Sequence, residues 1–109
     1  MGNRARATAR RGSVNRALEI RPRAERGMER AARWYEKRNA SKRVEFLDAV
    51  ESTISALREN PLRFLRVGRV RRALVHGFPY MIVFQVSDER IIVTNCVHQH
   101  RDPRRWMRG

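Results

Sequence analysis

The fold class this sequence predicts is α+β: a helical hairpin packed on an antiparallel sheet of about four strands, in the order β-α-α-β-β-β. Three observations predict it. Two stretches between residues 22 and 60 repeat apolar residues at three- and four-residue spacing, the period of a helix with one buried face. Three short apolar runs separated by tight-turn residues follow them. A brief alternating stretch precedes the helices, and a chain of 109 residues has room for one such two-layer core.

Each element has a local cause. Residues 16–21, Arg-Ala-Leu-Glu-Ile-Arg, alternate and stop before Pro22, so they read as a first strand. Pro22 opens a helix, where its missing N–H costs nothing. Ala24, Met28, Ala31, Ala32 and Tyr35 share one face of that helix, and Asn39 is a suitable stop. Gly27 weakens a helix by roughly 1 kcal/mol relative to Ala, which points to close packing at that position. Ser41 suits the N-cap of a second helix with Val44, Leu47, Val50, Ile54 and Leu57 as its buried stripe and Phe46 on the flank. Asn60-Pro61 ends it, and the short connection between the helices requires an antiparallel hairpin.

A basic loop with Phe64 and Leu65 spans residues 61–69. In residues 70–76, Arg72, Leu74 and His76 face one way and Arg71, Ala73 and Val75 the other. Gly77-Phe78-Pro79 supplies a turn into the nearly continuous apolar run 80–86. Ser87-Asp88-Glu89 turns the chain into the last strand, 91–97. Three consecutive strands joined by hairpins form a meander.

Charge is the strongest compositional signal. Lys and Arg number 25 against 11 Asp and Glu, a formal net charge of +14. Guanidinium groups pair bidentately with carboxylate and phosphate, so such a surface suits acidic protein segments and nucleic acid alike. Arg4, Arg6, Arg10 and Arg11 stand among small residues in 1–14, too few of them apolar to offset ordering entropy. That stretch is expected to be a disordered basic tail ahead of a single domain at 15–109. Its pattern does not fit a secretory leader, and no apolar run reaches membrane-spanning length. Cys96 is the sole cysteine and lies in an apolar strand, where it reads as a core residue. These features fit a cytoplasmic protein that needs no cofactor or metal.

Candidate functional residues cluster where the last strand ends. His98 either hydrogen-bonds backbone at a strand end or acts as a general acid or base, with Arg71 or Arg101 holding a phosphate. Arg69, Arg71 and Arg72 form a basic cluster that either binds an anionic partner or guards a strand edge. Trp34 lies beside the buried stripe of the first helix and is a candidate partner contact. Trp106 either folds back onto the sheet or anchors a partner, as does Arg101 nearby. The sequence has no glycine-rich phosphate loop, nucleophile elbow or metal-ligand cluster. Any catalysis would rest on His, Arg and Tyr, an inventory suited to metal-independent RNA cleavage through the 2′-hydroxyl.

Several segments, in this order and spacing, resemble the RelE/ParE superfamily of toxins from type II toxin–antitoxin modules. They are Arg21-Pro22-Arg23-Ala24 followed by Trp34-Tyr35, then Ile54-Ser55-Ala56-Leu57-Arg58-Glu59-Asn60-Pro61, then Phe78-Pro79-Tyr80-Met81-Ile82-Val83-Phe84-Gln85-Val86. The closing segment is Val97-His98-Gln99-His100-Arg101-Asp102-Pro103-Arg104-Arg105-Trp106. The resemblance implies a growth-inhibiting, plasmid-stabilising toxin held inactive by a co-encoded acidic antitoxin, in assemblies that are commonly multimeric. Tyr35 and the His-Gln-x-x-Asp start of the tail are closer to ParE-like members, which poison DNA gyrase. No tyrosine follows Trp106, whereas RelE-like members, which cut messenger RNA on the ribosome, carry one at the C-terminus. The alternatives to a gyrase poison are a ribosome-dependent endoribonuclease and a nontoxic basic nucleic-acid-binding domain.

Overall fold

The computed structural model describes residues 15–108; the basic tail expected at 1–14 lies outside them. Five strands and two helices build two layers: β1 (Ala17–Ile20), α1 (Pro22–Glu36), α2 (Ala40–Glu59), β2 (Arg66–Val67), β3 (Val70–Leu74), β4 (Tyr80–Val86) and β5 (Arg90–His98). The sheet order is β1-β5-β4-β3-β2. The α+β class and the helical hairpin are as expected, with two corrections to the sheet. It is mixed, because β1 pairs with β5 in parallel, and it gains the two-residue strand β2 from what reads as a loop.

The parallel pairing follows from the path of the chain. Leaving β1, the Arg21 N–H bonds the Val93 carbonyl. Helix α1 then continues alongside β5, and α2 runs back. The chain therefore re-enters the sheet near the end where β1 began, and three alternating strands leave β5 parallel to β1. Gly27 makes the close approach possible: a Cβ there would overlap the Cys96 carbonyl oxygen.

Two predicted helix details shift. Asn39, not Ser41, caps α2: its side-chain oxygen accepts the Ser41 N–H at 3.0 Å, and its own N–H bonds Tyr35 O. Lys37 is the C-cap of α1, and Asn39 opens α2 two residues later. The buried face of α2 is Phe46, Val50, Thr53 and Leu57, whereas Val44 is exposed. The helix is rotated towards Phe46 because its ring packs on Tyr35, Phe78 and Tyr80 at centroid distances of 5.2 to 5.5 Å.

The helix-side core joins Ala24, Ala31 and Ala32 of α1 with Phe46, Val50 and Leu57 of α2 and the inward residues of β3, β4 and β5. A second cluster covers the opposite face: Val70, Met81 and Val83 lie under Trp106, which is only 5% exposed. The register shift between Val83 and Phe84 places Asn95 opposite Val83 and Val93 opposite Phe84, leaving Thr94 as an extra residue. This bulge lets both Val93 and Cys96 face the helices.

Candidate functional site

The outer edge of β5 is where Arg30, Trp34, Tyr80, His98 and Arg101 come together. Strand β1 covers that edge only as far as Val93. Past that point α1 covers it, and the residues of both line a cleft of about 280 Å³. Arg30 and Trp34 come from α1, Tyr80 from β4, His98 from the end of β5 and Arg101 from the turn after it. Drug-sized ligand sites start at roughly 300 Å³, so this cleft fits one protruding side chain or base better than a cofactor. Among the described residues no cluster of His, Cys, Asp and Glu has metal-binding geometry.

His98 sits opposite Tyr80 in the β4–β5 ladder, with ring centroids 5.3 Å apart. Its Nδ1 accepts the His100 N–H at 3.2 Å, which leaves the proton of the neutral ring on Nε2. Burial raises the Tyr80 phenol above its ordinary value, with Cys96 adding to the rise; Arg30 and Arg101 act against it. Tyr80 is therefore a neutral donor near neutral pH, flanked by two guanidinium groups. Burial pushes the Cys96 thiol up to about 12 against a weak opposing pull from Arg30, so Cys96 is a core thiol and no nucleophile.

The structure separates the other sequence candidates. Arg71 is on the far side of the domain from His98: its guanidinium donates to Phe64 O at 2.9 Å and Leu62 O at 3.4 Å, tying down the turn before β2. Only Arg101 of the two proposed arginine partners shares the cleft with His98. Arg69 stays exposed, while Arg72 is half-buried with its Nη1 4.0 Å from the Met81 sulfur. Trp106 is folded back and bonded through its indole N–H to Arg101 O at 3.3 Å, so its ring belongs to the core and is not open to a partner. Trp34 is 48% exposed, with the Arg38 guanidinium 3.5 Å from its ring centre. Sequence reasoning missed Arg30 and Tyr80. Arg30 had a usable signal, since it stands four residues before Trp34 on the same helix face. Tyr80 had none, because its place opposite His98 depends on strand register.

A family model described as the ParE toxin of the type II toxin–antitoxin system parDE matches residues 18–103. Among solved structures, one titled "Chromosomal ParDE TA system from P. aeruginosa" is similar with a TM-score of 0.68 and 14% identity, covering 76% of this chain and 95% of that one. A search of the curated proteins gives no match. At 14% identity the structural likeness bears on the fold alone, and the family match carries the assignment.

Proposed function

The chain belongs to the ParE toxin family of type II toxin–antitoxin systems, and from that premise we propose that it is a cytoplasmic toxin that binds and poisons DNA gyrase until a co-encoded acidic antitoxin neutralises it. The observation that carries this reading is the family match over residues 18–103, which spans both helices, all of the sheet but Ala17 and the start of the tail. The site geometry supports action by binding. Trp34 and the arginines of the cleft present an aromatic face and cations, the side chains enriched at energetic centres of interfaces. His98 is held as a strand-end histidine, with Nδ1 engaged by backbone. The +14 charge speeds encounter with an acidic antitoxin segment, which would fold as it binds.

A second reading, ribosome-dependent RNA cleavage, is favoured by one observation: His98, Tyr80, Arg30 and Arg101 converge on one cleft. Expression in cells separates the two. A gyrase poison induces the DNA-damage response while messages stay intact, and with purified gyrase it accumulates cleaved plasmid. Rapid message cleavage without DNA damage would replace the first reading by the second. His98→Ala sharpens the result. Toxicity should fall no further than the amount of folded protein if gyrase is the target. It should collapse with the fold intact if Nε2 is an acid or base.

A further inference from the structure

We infer that one rim of α1 is a binding surface for single-stranded nucleic acid, with Arg23, Arg26 and Arg30 holding successive phosphates and Trp34 stacking a base. This does not rest on the toxin reading; it rests on how α1 distributes its charge. Residues 23, 26, 30 and 34 follow the helical period and share one face. The three acids of the helix, Glu25, Glu29 and Glu36, lie about 100° or more around the helix from the middle of that face. Glu29 and Glu36 face α2, where Arg43 pairs with them at 2.9 and 3.5 Å, and Glu29 also takes Arg33 at 3.6 Å. Arg23, Arg26 and Arg30 are exposed and enter no ion pair among the described residues. The helix has thus neutralised its inner rim and left its outer rim cationic.

That outer rim borders two neighbouring depressions along the β5 edge. Arg23 and Arg26 line one with Thr94 and Gln85, and Arg30 and Trp34 line the other with Arg101. Helical rise sets the three guanidinium bases roughly 4.5 and 6 Å apart along the axis, a row of regularly repeated cations. A polynucleotide is a polymer with regularly repeated anions and a planar group at each. Guanidinium matches phosphate bidentately. The Trp34 indole, stiffened from one side by Arg38, is exposed at the end of the row. An all-acidic run of peptide would satisfy the arginines but carries no aromatic ring to stack on Trp34. A duplex offers phosphates but keeps its bases stacked on one another. Cationic track plus aromatic platform is the combination by which single strands are held without sequence preference.

The test uses the full chain and labelled oligothymidylate, oligouridylate and a duplex of equal length, followed by fluorescence anisotropy across a salt series. Expected is tighter binding of both single strands than of duplex. The triple change Arg23→Ala, Arg26→Ala, Arg30→Ala should lower the slope of log K on log salt by about 2, from about 0.7 per phosphate released. Arg58→Ala, Arg63→Ala, Arg66→Ala removes the same charge elsewhere and should leave the slope. Trp34→Ala should weaken single strands by about 5- to 150-fold with the slope retained, and thermal melting confirms that each variant is folded. Equal losses from the two triples would reduce the effect to whole-molecule charge and overturn the proposal. So would duplex binding as tight as single-strand binding, indifference to Trp34→Ala, or displacement of the oligonucleotide by polyglutamate at equal charge.

Discussion

On one face of the sheet the core is closed by two helices; on the other it is closed by the short segment that follows β5. The helix side contains Phe46, Leu57, Ile82, Phe84, Ile91 and Val93 in one continuous cluster, with an aromatic set at one end in which Tyr35 stacks on Phe46 and Phe78 meets Phe46 edge-on. The tail side contains Val70, Met81 and Val83 under a single large ring, Trp106, with Val67, Val97 and Met107 around it. The first seal is distributed over two regular elements whose apolar spacing repeats. The second depends on one anchor, and its backbone is fixed by a short turn: Asp102 accepts the Arg104 N–H at 3.0 Å, and the Arg105, Trp106 and Met107 N–H groups return to Asp102 and Pro103. Covering both faces explains why β4 is apolar almost throughout instead of alternating.

The comparison can be broken or sharpened by substitution. The largest effect is expected on the helix side: Phe46→Ala removes a fully buried ring and should cost about 4 kcal/mol in urea unfolding. Trp106→Ala should cost about 3 kcal/mol and, unlike Phe46→Ala, should open a sheet face that binds a hydrophobic dye while the helical signal persists. If dye binding stays at the native level, the tail is not the seal described. Gly27→Ala forces a methyl group onto the Cys96 carbonyl and should cost about 2 kcal/mol, read as a lowered denaturation midpoint; a neutral result would show that α1 can lift off β5 freely. Asn39→Ala removes the α2 cap and should cost about 1 kcal/mol, with Asn39→Asp restoring it.

The smallest effect is electrostatic. The Cys96 thiol has a folded pKa of about 12 against an ordinary 9.0. Its contribution is fully present below pH 9 and is lost as pH rises towards 12, because only the unfolded chain ionises in that window. Compared with Cys96→Ala, the native protein should therefore lose stability more steeply above pH 9, by just under about 1 kcal/mol at pH 9.5. Parallel profiles would show that the thiol reaches water.

Legibility followed the same division. The helical hairpin, the meander and the close packing at Gly27 were readable because each is stated by spacing within a few residues. The stripe on α2 is off at its start: steps of three from Val44 through Leu47 drift around the helix, whereas at about 100° per residue Phe46, and not Val44, lies on the face of Val50 and Leu57. The site was less legible still. Arg71 and Arg101 look equivalent as partners of His98 in the chain, yet Arg71 holds the Phe64 and Leu62 carbonyls and Arg101 lines the cleft.

Composition and local periodicity by themselves determined the α+β class, the order of the main elements and the cationic character, because those quantities are sums over neighbouring residues. Tertiary structure alone decided that β1 lies parallel to β5, that Trp106 is buried while Trp34 is exposed, and which arginines stay unpaired. Those outcomes depend on which distant residues meet, and pairing across a sheet or between helices is a property of the folded chain that no local window contains.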